Sequence, residues 1–264
     1  MDGHKTKAAP SLERGLTIIE VLANSQRGQN LSELTRSLHL PKSSIHRLLL
    51  TLELRGYLYR NEQTGRYNFG LKLFNLASMA LGRTKLREQA GPVLHALMQK
   101  TGLTIHMAIL EQNQAFLIEK IEPPGLPRLG TWIGRSMDLH CTGVGKALLA
   151  HLREEEIQRL IRNGLPRYND NTIVSAKKLK EELARIRQVG YALDDEEETI
   201  GLRCIGTPIL DSESKAVAAI SIAGTTAQIN PDNISSLALK LRQSSSEISR
   251  RLLRSPEELI FSTH

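Results

Sequence analysis

The stretch Leu40-Pro41-Lys42-Ser43-Ser44-Ile45-His46-Arg47-Leu48-Leu49-Leu50-Thr51-Leu52-Glu53-Leu54-Arg55-Gly56 decides how the first third of the chain reads. Pro41 suits the first position of a helix, and Gly56 can take the left-handed conformation that ends one. Between them Ile45, Leu48, Leu49 and Leu52 recur at helical spacing and make one apolar face. The opposite face, weighted to the N-terminal end, carries Lys42, Ser43, Ser44 and Arg47, with His46 and Thr51 at its margins. Short hydroxyl side chains let a helix sit close to DNA, arginine can grip guanine with two bonds, and a helix N-terminus attracts phosphate.

Working outward, Asn30 reads as the cap of a preceding helix, with Glu33 completing a capping box and Leu31, Leu34 and Leu38 as the buried stripe. Before it, Ser11 reads as the N-cap of a first helix whose stripe is Leu12, Leu16, Ile19 and Leu22, broken around Arg27-Gly28-Gln29. After Gly56, Tyr57 to Arg60 and Arg66 to Phe69 read as a hairpin turned by Gly65. Three short helices and a hairpin predict a winged helix-turn-helix over residues 11–70. Its third helix enters the major groove, and Arg60 and Arg66 on the wing touch the DNA backbone. A three-helix module that binds protein is the alternative reading.

Charge separates the two. Residues 1–90 hold 14 Lys+Arg against 7 Asp+Glu, a net of +7, whereas residues 91–264 hold 21 of each. The excess therefore lies with the helical module and favours a polyanionic partner, double-stranded DNA. Residues 1–10 read as a disordered basic tail. The sequence shows no apolar run long enough to cross a bilayer and no apolar leader near Met1, so a cytoplasmic protein is expected. The only cysteines are Cys141 and Cys204, too few for a disulfide framework and consistent with a reducing compartment.

Residues 71–90 are apolar over a wide arc and read as a linker helix, covered by a partner copy or by the chain's own core. Gly91-Pro92 is expected to end it and to start a helix over Pro92 to Lys100. From there to residue 264 the pattern predicts strands at Thr104–Leu110, Ala115–Ile121, Leu129–Ile133, Met137–Leu139, Tyr191–Leu193, Arg203–Ile209 and Ala216–Ile222. Helices are expected after Gly143, over Glu154–Asn163, from Ser175 to Gly190, and from Ile234 onward. Antiparallel strands covered by helices make an α+β domain over 91–264.

Several stretches together resemble the IclR family of bacterial transcriptional regulators. They are Ser11 to Leu16, Leu40 to Leu49, Gly70-Leu71-Lys72-Leu73, Cys141-Thr142-Gly143-Val144-Gly145-Lys146-Ala147, Gly190 to Glu197, and Gly201-Leu202-Arg203-Cys204-Ile205-Gly206-Thr207-Pro208. The resemblance covers nearly the whole chain. It implies a winged helix-turn-helix, a dimerising linker, a GAF-like effector domain, a homodimer or homotetramer, and regulation of a catabolic operon, more often by repression than by activation. It also implies effector contacts at Gly143, Val144, Asp194, Cys204 and Ser221. Backbone N–H groups at a helix start and a serine hydroxyl can hold a carboxylate, while Asp194 accepts from a ligand hydroxyl. The expected effector is a small oxo-, hydroxy- or sugar acid. One departure bears on its identity. Family members that bind very small oxo-acids tend to show Ser-Ile-Ser where this chain has Ser221-Ile222-Ala223, one hydroxyl fewer.

Enzyme readings are weaker. Gly143-Val144-Gly145-Lys146-Ala147 lacks phosphate-loop spacing. Cys141 and His140 would point to opposite sides of a strand and would not pair easily, which leaves a small-molecule enzyme using Cys141 and Asp194 as the weaker alternative to a regulator. The run Asp194 to Glu198 reads as a solvated loop, not a metal site, and no cofactor is implied.

Overall fold

The computed structural model describes residues 9–25, 27–82, 85–125 and 129–253. The chain divides into two compact units at Gly82/Arg83. Residues 1–8 of the expected tail, positions 83–84 of the expected linker and residues 254–264 lie outside the described residues.

The N-terminal unit contains helices α1 (Pro10–Ala23), α2 (Leu31–Leu38) and α3 (Lys42–Leu54), strands β1 (Leu58–Arg60) and β2 (Tyr67–Phe69), and helix α4 (Leu71–Gly82). The capping box is present: Asn30 Oδ1 accepts from Glu33 N at 2.9 Å and Glu33 Oε2 from Asn30 N at 2.8 Å. Gln29 pairs with Tyr67 beside the β1–β2 hairpin. Ile18, Leu22, Leu34, Ile45, Leu49, Leu58 and Tyr67 close a small core.

Two local expectations change. Pro10 opens α1 and no side chain caps it, so Ser11 lies inside the helix. The buried face of α1 is Gly15, Ile18 and Leu22, whereas Leu12 and Leu16 are exposed. Both stripes have helical spacing, and periodicity alone cannot choose which one meets α2 and α3.

The C-terminal unit begins with α5 (Lys85–Thr101), which runs unbroken through Gly91-Pro92. The proline removes one ladder hydrogen bond, but burial of Leu86, Ala90, Val93, Leu94 and Leu97 holds the helix together on both sides of it. Residues 85–90, expected in the linker, are thus the first turns of a core helix.

Strands β3 (Thr104–Glu111), β4 (Gln114–Ile121), β5 (Ser136–Met137), β6 (Ala192–Asp195), β7 (Leu202–Leu210) and β8 (Ala216–Thr225) form one antiparallel sheet in the order β5-β4-β3-β8-β7-β6. No strand forms at 129–133. There Lys120 Nζ donates to the carbonyls of Leu129 and Thr131, so these groups bond to a side chain and not to a ladder. Helices α6 (Gly143–Leu149), α7 (Glu154–Arg162) and α8 (Ala176–Val189) supply a core with Ala108, Leu117, Ala192 and Ala219 on one sheet face. Helix α9 (Ile234–Leu253) packs on β7 and on α5.

Candidate functional site

On α3 the structure separates the two faces. Ile45 and Leu49 are fully buried, while Lys42, Ser43, His46, Arg47 and Thr51 are exposed and Ser44 is half-buried. Thr51 Oγ1 is spent on the Arg47 carbonyl at 2.9 Å. On the wing Arg60 is exposed, with its guanidinium 6.0 Å from the Tyr67 ring centre. Arg66 is turned inward. It holds Glu33 with two bonds, 2.9 and 3.1 Å, and donates to Gly28 O at 2.7 Å. Its structural work is to tie the wing to α2, a role that hairpin position alone does not reveal.

In the C-terminal unit the expected effector residues gather on one sheet face. Asp194 sits opposite Cys204 and Cys204 opposite Ala223. One pair along, Gly206 faces Ser221, and Ser221 in turn faces His106. The start of α6 lies directly on this surface: a Cβ on Gly206 would be 2.0 Å from Gly143 O, and one on Gly143 would be 3.1 Å from Cys204 Cβ. At position 206 only glycine permits that approach. Thr142 Oγ1 caps Gly145 N at 3.1 Å and Lys146 N bonds Thr142 O at 2.8 Å. The Gly143 and Val144 N–H groups are therefore the orphan donors of the first turn.

Sequence reasoning did not find the polar residues that continue this face. His106 is buried, with Nε2 2.9 Å from Thr131 Oγ1 and Nδ1 3.5 Å from Ser221 Oγ. Lys120 lies opposite His106 on β4 and pairs with Glu122 at 2.8 Å. Burial, with Lys120 and Arg135 nearby, lowers the His106 pKa to about 3, so the imidazole is neutral. No spacing links positions 106, 120, 131 and 221. Strand register brings 106, 120 and 221 together, and the non-strand segment at 129–133 adds Thr131.

The acidic run is not a solvated loop. Asp194 and Glu197 are buried. Fully buried Lys146 donates to Leu193 O and to Glu197 Oε1, with Glu182 3.7 Å away. Glu197 Oε2 is buried without a hydrogen-bond partner among the described residues. Burial raises the Asp194 carboxyl to about 7, against the opposing pull of Lys146. Burial likewise raises Glu197, and raises Glu198 despite its 2.9 Å ion pair with Arg135. The Cys204 thiol is held well above its usual value, first by burial and then by the Asp194 and Glu198 charges.

Residues 138–142 form a turn, not a strand, so Cys141 and His140 are not held on opposite faces. The ligating atoms of Asp138, His140 and Cys141 lie within 4.8 Å of one another. Their neighbours are already engaged: Tyr168 OH donates to Asp138 at 2.6 Å and His140 Nε2 contacts Pro166 O at 2.9 Å. Burial and nearby carboxylates push the Cys141 thiol far up, the opposite of an activated nucleophile. No helix is long and apolar enough to cross a membrane among the described residues.

Comparison with known proteins places this geometry. Residues 11–62 match the model of the IclR helix-turn-helix domain, and residues 78–250 match that of the bacterial transcriptional regulator IclR C-terminal domain. The transcriptional repressor IclR of Escherichia coli K12 is 36% identical over 246 residues, 92% of this chain and 90% of that protein. The crystal structure of Thermotoga maritima IclR superposes with a TM-score of 0.77 at 30% identity, covering 92% and 98% of the two chains. An IclR homologue from Microbacterium hydrocarbonoxydans complexed with 4-hydroxybenzoate superposes at 0.80 with 26% identity, again covering 92% and 98%.

Proposed function

The chain belongs to the IclR family of bacterial transcriptional regulators, and from that premise we propose that it is a repressor whose hold on operator DNA is set by a small carboxylate bound in its C-terminal unit. The observation that carries this reading is the α3 surface. A helix anchored by Ile45 and Leu49 offers solvent only Lys42, hydroxyls, His46 and Arg47 at its N-terminal end. Lys42, Ser43, Ser44, His46, Arg47 and Thr51 meet the major groove, and Arg60 the flanking backbone. Arg66, spent on Glu33, serves the wing's position and any phosphate contact it makes is secondary. Repression is favoured because the Escherichia coli relative is a repressor.

The effector lies over Gly143, Val144, Asp194, Cys204 and Ser221, and neutral His106 closes its far end. The orphan N–H groups and the Ser221 hydroxyl supply donors for a carboxylate. A protonated Asp194 can donate to the same anion, and its raised pKa makes that form accessible near neutral pH. The 4-hydroxybenzoate bound by the Microbacterium homologue belongs to the same hydroxy-carboxylate class. Both thiols are held protonated, so neither is poised as a nucleophile. Leu71, Phe74, Leu76 and Met79 on α4 are exposed in the single chain and supply an apolar surface for a second copy. A cytoplasmic location fits a regulator that must reach DNA.

The test is fluorescence anisotropy of the full chain on DNA upstream of its own gene, with and without oxo-, hydroxy-, sugar and aromatic acids. Specific binding that one acid class weakens supports the proposal. Binding that every acid leaves unchanged removes the effector reading and keeps the DNA reading.

A further inference from the structure

We propose that Asp138, His140 and Cys141 form a binding site for a divalent transition-metal ion of the zinc class, set in the turn that leads into α6. The proposal goes beyond the regulator reading and does not depend on it. One ligating atom from each residue lies within 4.8 Å of the other two. Around a tetrahedral ion such atoms are about 3.5 Å apart, so side-chain rotations of about an ångström close the set. A thiol, an imidazole and a carboxylate suit zinc or cobalt, whereas calcium and magnesium take oxygen ligands. A fourth position is left for water.

The outer contacts are those a metal site needs. His140 Nε2 lies 2.9 Å from Pro166 O. A carbonyl only accepts, so in the neutral ring Nε2 carries the proton and Nδ1 keeps a free lone pair. Tyr168 OH donates to Asp138 Oδ2 at 2.6 Å, which orients the carboxylate and leaves Oδ1 to ligate. Thr142 Oγ1 donates to Asp138 O at 2.8 Å and holds the turn closed. The surroundings are acidic. After burial, the groups that act most on the Cys141 thiol are the carboxylates of Glu198, Asp138, Asp194 and Glu197. Among the described residues two cations offset them, Lys146 at Glu197 and Arg135 at Glu198. A divalent ion answers the excess of acid, and the thiol releases its proton to solvent as the sulfur–metal bond forms. A cavity of about 200 Å³ lined by Gln114, Arg135, Tyr168 and Glu198 reaches Asp138, the least buried of the three ligands, and gives the ion an approach. Cys141 stands two residues before Gly143, so a bound ion braces the start of α6.

The experiment titrates the metal-stripped full chain with cobalt(II) and then with zinc(II). Cobalt is expected to give a thiolate-to-metal charge-transfer band that saturates at one ion per chain and that zinc abolishes. Cys141→Ser is expected to lose the band, and Cys204→Ser to keep it. Tyr168→Phe, a change at the surface, is expected to weaken zinc binding about tenfold, as loss of an outer partner of a ligand does. Its result stands even where Cys141→Ser does not fold. No band at excess cobalt overturns the inference. So does a band that persists in folded Cys141→Ser, or a zinc affinity unchanged in both Tyr168→Phe and His140→Gln.

Discussion

The N-terminal unit carries its chemistry on the outside of one helix, whereas the C-terminal unit carries its chemistry inside, across neighbouring strands. Lys42, Ser43, His46 and Arg47 are exposed and contribute little to holding α3 in place, which Ile45 and Leu49 do. Asp194, Lys146, Glu197, His106 and Ser221 are buried and bonded to one another or to the backbone. On the proposed reading face, binding is assigned to residues other than those that hold the fold. In the proposed effector site the same residues are assigned both tasks, because a buried charge left without its partner is costly. An exposed reading face can therefore change its specificity without loss of fold. A buried sensor is bound to its scaffold.

The largest break in that comparison is expected at Lys146. Lys146→Met leaves the buried Glu197 without its cation, while Glu182 keeps Arg185, and should cost about 3–5 kcal/mol in denaturant unfolding; a cost near zero would mean that the buried pair is dispensable. On the other side of the comparison, Arg47→Ala should lower operator affinity by about 1–3 kcal/mol. Its unfolding free energy should stay within about 0.5 kcal/mol of wild type. Equal operator affinity for variant and wild type would remove Arg47 from the reading face.

The third prediction concerns pH. The Asp194 carboxyl is raised in the fold from 3.8 to about 7, so its contribution to stability is present at low pH and is lost as pH rises through about 7. The same proton serves an anionic ligand. Binding of a carboxylate effector should strengthen by up to about tenfold per pH unit as pH falls toward 7 and level off below it. In Asp194→Asn, titration calorimetry should find that dependence gone. A profile that persists in the variant assigns the proton elsewhere. The smallest effect is expected at Asn30, whose loss of the capping bond in Asn30→Ala should cost about 1 kcal/mol of N-terminal stability. Thermal melts with no shift would show that the wing clamp of Arg66 on Glu33 suffices without the cap.

Local rules, acting within one turn or one hairpin, explain which features the sequence determined by itself. Asn30 and Glu33 cap α2 because they are three residues apart. Gly190, at φ +81°, ends α8 because only a left-handed residue can follow there cheaply. The polar face of α3 follows from its period. The IclR resemblance likewise lay in short contiguous motifs, and the effector residues it implied fall together in the fold. The tertiary structure alone decided the features that depend on distant partners. It chose Ile18 over Leu12 and Leu16 as the buried stripe of α1, and carried α5 through Pro92 because its core face outweighs one lost hydrogen bond. It tied Arg66 to Glu33 and buried Asp194 and Glu197 of an acidic run that composition assigns to solvent. It also set His106, Ser221 and Lys120 in one row, by a register that a slip of a single residue would turn to the other face. Sequence records each residue's own preference, and burial, register and pairing are properties of the neighbours that the fold supplies.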